Sequence, residues 1–461
     1  MTIPVHDLRS FIKTVSELSA RELLTIDEPL SGHWQLAGIT TELVNKMRMP
    51  VIRYSNVEGS AMPVIHNVCA SLTRIGKSMG WTVPELENRL AMAYDNLISF
   101  EDVETGPVRD NAMTGDSVDL SILPAIRYTE TETHPYLSAA HVVAYDPVSK
   151  AMNISFHRMM IIGKNTLTVY MTPGGHLDTI FQHNAREGRN TPLAVFLGVH
   201  PLHSLGSLAA GSLALDEFSV IGGLLGYPLP VVKGLIDQRL RVPAYSEIVL
   251  EGELSCTTER EEGPYGEAFG FVSDVSTRPV LTVQLISHRD DPLFQDIVPG
   301  QLEHLTMTGV STQVHLKKTL LEKYSCITDV HLPTPMTVYI GVSVDIGQWG
   351  GGDILRDILT SQRFVKQVVL FDDEVDISNA KQTQNAMAMH VQADRDVVTL
   401  SGLPGNGLDP SEINNKTAKW GVDASSYAKH GEMLVKNKIP KPILDSLDIK
   451  AILERARKAE K

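Results

Sequence analysis

Cysteine is scarce in this 461-residue chain: Cys69, Cys256 and Cys326 lie far apart and form no CxxC pair. That pattern supports neither a disulfide framework nor a thiolate metal cluster, so reduced thiols in a cytoplasmic protein are expected. No apolar run is long enough to cross a bilayer, and the opening stretch, with Asp7 beside Arg9, lacks a secretory pattern. No targeting or spanning segment is therefore read. Basic excess is missing too. The formal net charge of -14 argues against a nucleic acid or an anionic membrane as partner, and an anionic substrate would have to be attracted locally. No GxGxxG follows a strand-like segment, so the signature of a nicotinamide site is absent, as are internal repeats and low-complexity tracts.

What is present is an ordinary globular composition, 43% hydrophobic and 21% charged, in a chain too long for one core. Apolar residues at helical spacing over residues 5–19, 36–47 and 80–94 alternate with strand-like segments at 23–26 and 51–54, which makes residues 1–115 an α/β domain. Gly106 to Asp116 reads as a linker. Residues 116–302 change to strands, at 141–145, 153–162, 166–171, 193–197, 247–253 and 281–287, interrupted by helical periodicity at 175–187 and 217–223. Many strands with short turns predict a β-barrel with inserted helices. Residues 303–461 return to α/β, with a helix at 302–323, strands at 337–344 and 364–370, a helix at 383–392 and a charged amphipathic helix from Pro440.

The stretch with most chemistry is Glu262-Gly263-Pro264-Tyr265-Gly266-Glu267. Residues five apart point to opposite faces of a strand and lie apart around a helix, so only a bend can converge the two acids. Pro264 and the two glycines suit such a bend. Paired carboxylates in different environments favour proton relay, because burial and repulsion separate their protonation. A solvated acidic hairpin is the competing reading, since Glu259 and Glu261 crowd the same place. Three further polar clusters sit among apolar strands: Asn153-Ile154-Ser155-Phe156-His157-Arg158, where a strand arginine needs a partner, Pro173-Gly174-Gly175-His176 entering a helix, and Leu215-Asp216-Glu217-Phe218.

Together the four clusters resemble the UbiD family of decarboxylases, which carry prenylated FMN. The Asn-x-x-x-x-Arg strand matches Asn153 and Arg158, the metal-binding histidine and glutamate match His176 and Glu217, and the acidic turn matches Glu262 to Glu267. A late Lys419-Trp420-Gly421-Val422-Asp423 is similar to the family's Lys-Met-Gly-Ile-Asp, with Trp420 replacing the methionine. The resemblance implies a central split β-barrel of flavin-reductase type. It implies prenylated FMN held by Asn153, Ser155, Phe156, His157, Arg158, Gly175, His176, Glu217 and Lys419, with Mn²⁺ or Mg²⁺ on Asn153, His176 and Glu217 and K⁺ beside it. Helix capping by His176 and a dipole-favoured helix charge at Glu217 compete with those two assignments. An ideal strand would put Asn153 and Arg158 on opposite faces, so a bulge between them is expected.

Decarboxylation at an sp² carbon needs an electron sink that side chains do not offer. The resemblance implies cycloaddition of the substrate to the cofactor, with Arg158 orienting the carboxylate and tying down Glu262, and Glu267 protonating the carbon that loses CO₂. The expected activity is thus a reversible, non-oxidative decarboxylase of an aromatic, heteroaromatic or α,β-unsaturated acid, supplied by a flavin prenyltransferase. An FMN reductase on the same barrel, a metal hydrolase using Asn153, His176 and Glu217 with Glu267 as base, and a non-catalytic cofactor-binding protein are the alternatives. Pocket residues are expected on the helix after the barrel, at Thr312, Gln313 and His315. The last helix carries Ile443, Leu444, Leu447, Ile449 and Ile452, an apolar surface that calls for a partner. The resemblance implies a homodimer or hexamer, so light scattering of the intact chain is expected to show a homo-oligomer; a monomer would contradict that reading.

Overall fold

The computed structural model describes residues 6–209, 211–343, 350–405, 407 and 409–425, and of the remainder 439–440, 442–443, 446–449, 451–452 and 455. The expected C-terminal helix falls largely outside the described residues. Among those described, no helix is long and apolar enough to cross a membrane. The first helix, Leu8–Leu18, begins where Asp7 and Ser10 cap each other, the Ser10 N–H donating to Asp7 Oδ1 at 2.8 Å and the Asp7 N–H to Ser10 Oγ at 2.9 Å. It buries Leu8, Phe11 and Val15, three and four residues apart, as the periodicity requires. Leu23–Ile26 and Val51–Tyr54 pair in parallel in a four-stranded sheet completed by Val64–His66 and Phe294–Gln295. The last of these comes from far along the chain and ties the central region to the N-terminal sheet. The helix Leu72–Ser78 was not legible in the sequence, being too short for a periodic signal.

The centre is a nine-stranded sheet. Its strands are β1 (Asn111–Thr114), β2 (Tyr136–Leu137), β3 (His141–Tyr145), β4 (Met152–Phe156), β5 (Met159–Ile161), β6 (Thr166–Val169), β7 (Thr191–Leu197), β8 (Ile248–Glu262) and β9 (Ser276–His288). The order is β2-β5-β6-β9-β8-β7-β3-β4, with β1 paired to β9. The expected linker at 106–116 therefore contributes a strand: β1 runs antiparallel to β9 from Asn111 opposite His288 to Thr114 opposite Leu285. Helices α1 (His176–Ala185) and α2 (Glu217–Leu225) are inserted between strands.

The strand order requires the sheet to curl. β4 and β5 are six strand spacings apart along the sheet, which would separate them by roughly 29 Å if it were flat. Yet three Cα steps join Phe156 to Met159, a reach of about 11 Å. The two ends of the sheet must approach each other, and His157-Arg158 is the seam. On one side of it the His157 N–H donates to Ala140 O at 3.2 Å, and on the other the Tyr170 N–H donates to Arg158 O at 3.2 Å. The continuous strand expected over 153–162 is thus two strands in different parts of one sheet, and no bulge is needed to re-aim Arg158.

A five-stranded sheet follows, ordered Ile327–Thr334, Thr337–Val342, Gln367–Asp372, Lys416–Asp423, Val397–Pro404, with the helix Gly351–Ser361 burying Ile354, Leu355, Ile358 and Leu359 against it. The long helix Leu302–Lys323, α3, joins it to the centre. Where β8 ends, Gly263 has φ +98°, and a Cβ there would lie 2.9 Å from Asp274 O. Gly263→Ala combines a left-handed backbone with that clash, so a stability loss of about 1–3 kcal/mol is expected, read as a lower denaturant midpoint. An unchanged midpoint would show that the turn relaxes freely.

Candidate active site

Arg158 leaves the seam into the interior, with its side chain 8% exposed. Its Nε donates to Glu262 Oε1 at 2.8 Å and its Nη2 to Glu262 Oε2 at 3.0 Å, a two-point pairing, while Nη1 donates to Glu267 Oε1. The Cζ atom stands 4.0 Å from the centre of the Tyr170 ring and 4.7 Å from that of Tyr265. Burial alone would lower the guanidinium's proton affinity. The hydrogen bonds and charges of Glu262 and Glu267 more than reverse this and hold it well above its ordinary value. The two acids differ in environment: Glu262, the last residue of β8, is fully buried, whereas Glu267, after the turn, is 20% exposed. The bend therefore delivers both carboxylates to one cation and leaves only Glu267 facing open space.

That space is a cavity of about 650 Å³, within the usual range for a small-molecule site. Phe156, His157, Arg158 and Glu267 line it, together with Tyr170, Tyr265, Phe269 and Phe271. Ser138, Arg278 and, on α3, His304, Met307 and Thr308 also face it, and Phe364, Gly407 and Pro410 reach it from the C-terminal region. The aromatic residues of the wall suit a flat conjugated ring system, and the polar ones among them, Asp274 and Ser273 included, can fix its orientation. Burial lowers His157 and His304 to about 4, so both imidazoles are neutral near pH 7. His157 is fixed by Ser155 Oγ at 2.8 Å and Tyr170 O at 2.8 Å.

The other expected ligands meet beside the cavity. Asn153 Nδ2 lies 2.7 Å from Glu217 Oε1 and 3.1 Å from His176 Nδ1, and the Ile154 N–H donates to Glu217 Oε2 at 3.1 Å. Glu217 is 2% exposed, and burial pushes its carboxyl up to about 8 against the hydrogen bonds it accepts. A carboxylate held this dry among neutral groups fits a cation. Turning the Asn153 amide over would present its oxygen beside the imidazole and the carboxylate, a donor set suited to Mn²⁺ or Mg²⁺. Among the described residues no cluster of three or more His, Cys, Asp or Glu exists, so such a site depends on the amide.

Two further expected groups do not line the cavity. Gly175 is the N-cap of α1, and the neighbouring Gly174 N–H donates to Asp178 Oδ2 at 2.8 Å. Lys419 is buried in the C-terminal sheet, its Nζ donating to Gln362 O at 2.6 Å and Arg363 O at 3.2 Å, and it does not line the cavity. Thr312, Gln313 and His315 do not line it either, since the cavity meets α3 one to three turns earlier, at His304, Met307 and Thr308. Tyr170, Arg278 and Glu132 were not identified from sequence. Glu132, fully buried, accepts from the Tyr128 N–H at 2.6 Å and from the Gly266 N–H at 3.3 Å, and so anchors the residue before Glu267.

Comparison with known proteins finds relatives along most of the chain. Three models of one family match in order: the 3-octaprenyl-4-hydroxybenzoate carboxy-lyase N-terminal domain at 18–93, its Rift-related domain at 101–302 and its C-terminal domain at 305–424. The chain is 26% identical over 423 residues to anhydromevalonate phosphate decarboxylase of Methanothermobacter thermautotrophicus, covering 91% of this chain and 96% of that one. Against the same enzyme of Methanosarcina mazei it is 28% identical over 438 residues, covering 94% and 99%. The UbiD-class enzyme HmfF from Pelotomaculum thermopropionicum, in complex with FMN, superposes with a TM-score of 0.87 at 28% identity over 97% of this chain and all of the other. An evolved dimeric form of it in complex with prFMN gives 0.83 at 26% identity, covering 97% of this chain and 100% of that one. Motifs, fold and the three successive domain matches converge: the chain belongs to the UbiD family of carboxy-lyases, and it is a decarboxylase.

Proposed function

We propose that this decarboxylase acts on an aromatic, heteroaromatic or α,β-unsaturated carboxylic acid, without net oxidation and reversibly, with prenylated FMN in the cavity. The observation that carries the reading is one guanidinium shared between a buried carboxylate, Glu262, and a cavity-facing one, Glu267. When bound, prenylated FMN supplies the electron sink that loss of CO₂ from an sp² carbon requires. The likeness to HmfF structures with FMN and prFMN supports the choice of cofactor.

Each side chain has a separate task in this reading. Glu262 occupies two donors of Arg158 and fixes the plane of the guanidinium, so that its remaining face orients the substrate carboxylate. Glu267, at the open end of the same network, carries the proton that goes to the carbon after CO₂ leaves, so that R–COO⁻ and one H⁺ become R–H and CO₂. The aromatic walls exclude water from that transfer. Asn153, His176 and Glu217 would hold Mn²⁺ or Mg²⁺, which would supply positive charge for the cofactor phosphate, and K⁺ would complete the set. Because that set does not line the cavity with Glu267, a hydrolase with Glu267 activating a metal-bound water is disfavoured. A flavin prenyltransferase as cofactor supplier, a cytoplasmic location and a homodimeric or hexameric assembly complete the proposal.

Glu267→Gln keeps shape and removes the titratable proton, so CO₂ release is expected to fall at least roughly 10²-fold with flavin absorbance retained. Normal turnover in that variant would remove Glu267 from the proton relay. Glu262→Gln is expected to raise KM, lower flavin content and lower the denaturant midpoint together, because the buried guanidinium loses its charge partner. His176→Ala and Glu217→Ala are expected to yield folded protein with little flavin. Full occupancy in both would remove the cation assignment.

A further inference from the structure

A second arginine faces the cavity and has no task in the chemistry above. Arg278, on β9, holds its Cζ 4.6 Å from the centre of the Tyr170 ring, the same ring that Arg158 approaches at 4.0 Å. The two guanidinium groups are thus no farther apart than those distances laid end to end. Their partners differ. Arg158 is shared by two carboxylates, whereas among the described residues Arg278 forms no ion pair and its buried Nε has no acceptor. Directly across the hairpin from Arg278 stands Arg260, and opposite residues of an antiparallel pair project from the same face. Like charges so placed repel. Arg260 gives one N–H to Glu259 O at 2.8 Å and, among the described residues, pairs with no carboxylate. Arg260 is exposed and does not line the cavity, whereas Arg278 does, in company with the carboxylates of Glu267 and Asp274. Of the two cavity-lining arginines, Arg158 is held by carboxylates and Arg278 offers the donors that an incoming anion can take.

We propose that Arg278 is a subsite for a second acidic group of the substrate, remote from the carboxylate that leaves as CO₂. This rests on the decarboxylase reading above and narrows its substrate class to unsaturated or aromatic acids bearing a further carboxylate or phosphate. The planar fork of arginine matches either group. The cofactor phosphate is not the occupant: the cation set that suits it lies off this cavity, while Ser276 and Arg278 line the cavity together with Glu267. The short separation of the two arginines, set by their common ring, fits a small planar unit carrying an acidic group at each end.

The test is calorimetric titration of flavin-loaded protein with matched acids: benzoate against terephthalate and against 4-(phosphonooxy)benzoate, and crotonate against fumarate. At least one doubly acidic member is expected to bind about tenfold or more tightly than its singly acidic partner, the ratio a charged hydrogen-bond pair supports. Arg278→Gln is expected to abolish that preference while monoacid affinity and flavin absorbance stay unchanged. Whether terephthalate or the phosphate ester loses more affinity identifies the second group. Equal affinities within every pair, weak binding of both members included, would overturn the proposal. So would an unchanged preference in Arg278→Gln, or loss of flavin from it, which would assign Arg278 to the cofactor. Binding is read without turnover, so the outcome is independent of the decarboxylase reading, which fails instead if flavin-loaded protein releases CO₂ from no acid of either kind.

Discussion

One guanidinium, buried between two tyrosine rings and two carboxylates, is the interaction on which the arrangement of the site depends. An unpaired charge at that depth would cost several kcal/mol, so the position requires at least one ionised acid within reach. Glu262 meets that requirement with two parallel hydrogen bonds and no exposure of its own. In the proposed relay, Glu262 therefore keeps Arg158 compensated while Glu267 serves the substrate. The division of labour proposed for the acids rests on this asymmetry of burial, since the two are the same residue type.

The fold makes the asymmetry possible. Arg158 sits where the chain steps from one end of a curled sheet to the other, while Glu262 ends the long strand β8, paired with β9 in the same sheet. Gly263 turns the chain and Glu132 holds the Gly266 amide, so Glu267 arrives at the same cation from the open side. With His157 and His304 kept neutral by burial, Arg158 and Arg278 supply the positive charge of the cavity wall.

Much of this was legible in the sequence because local rules govern it. The strands at Leu23–Ile26, Val51–Tyr54 and His141–Tyr145 and the helix Leu302–Lys323 stand where their periodicity put them, and the polar clusters around Asn153, Arg158, Glu217 and Glu262 stood out against apolar surroundings. What was not legible depends on distant pairing. The break at His157-Arg158 is invisible in an apolar run that continues through Met159 and Met160, because it comes from a change of neighbours, not of residue type. Asn111–Thr114 reads as a polar linker and becomes a strand only because the end of β9, past its pairing with β6, is open on that side. Tyr170 and Arg278 gained meaning from a shared ring contact between strands that no local pattern encodes. On α3 the turn facing the cavity was misplaced toward Thr312, Gln313 and His315, since helical periodicity gives a face but not a height along the axis.

The most direct test of the shared guanidinium is hydrogen exchange at the product carbon in D₂O, followed by NMR with flavin-loaded wild-type protein and Arg158→Lys. Lysine keeps the charge and lacks the planar fork, so it cannot hold Glu262 at two points while serving Glu267. Exchange in the wild type and its loss in Arg158→Lys, with flavin still bound, is the expected result. Exchange at the wild-type rate in Arg158→Lys would show that the two carboxylates do not depend on a common guanidinium.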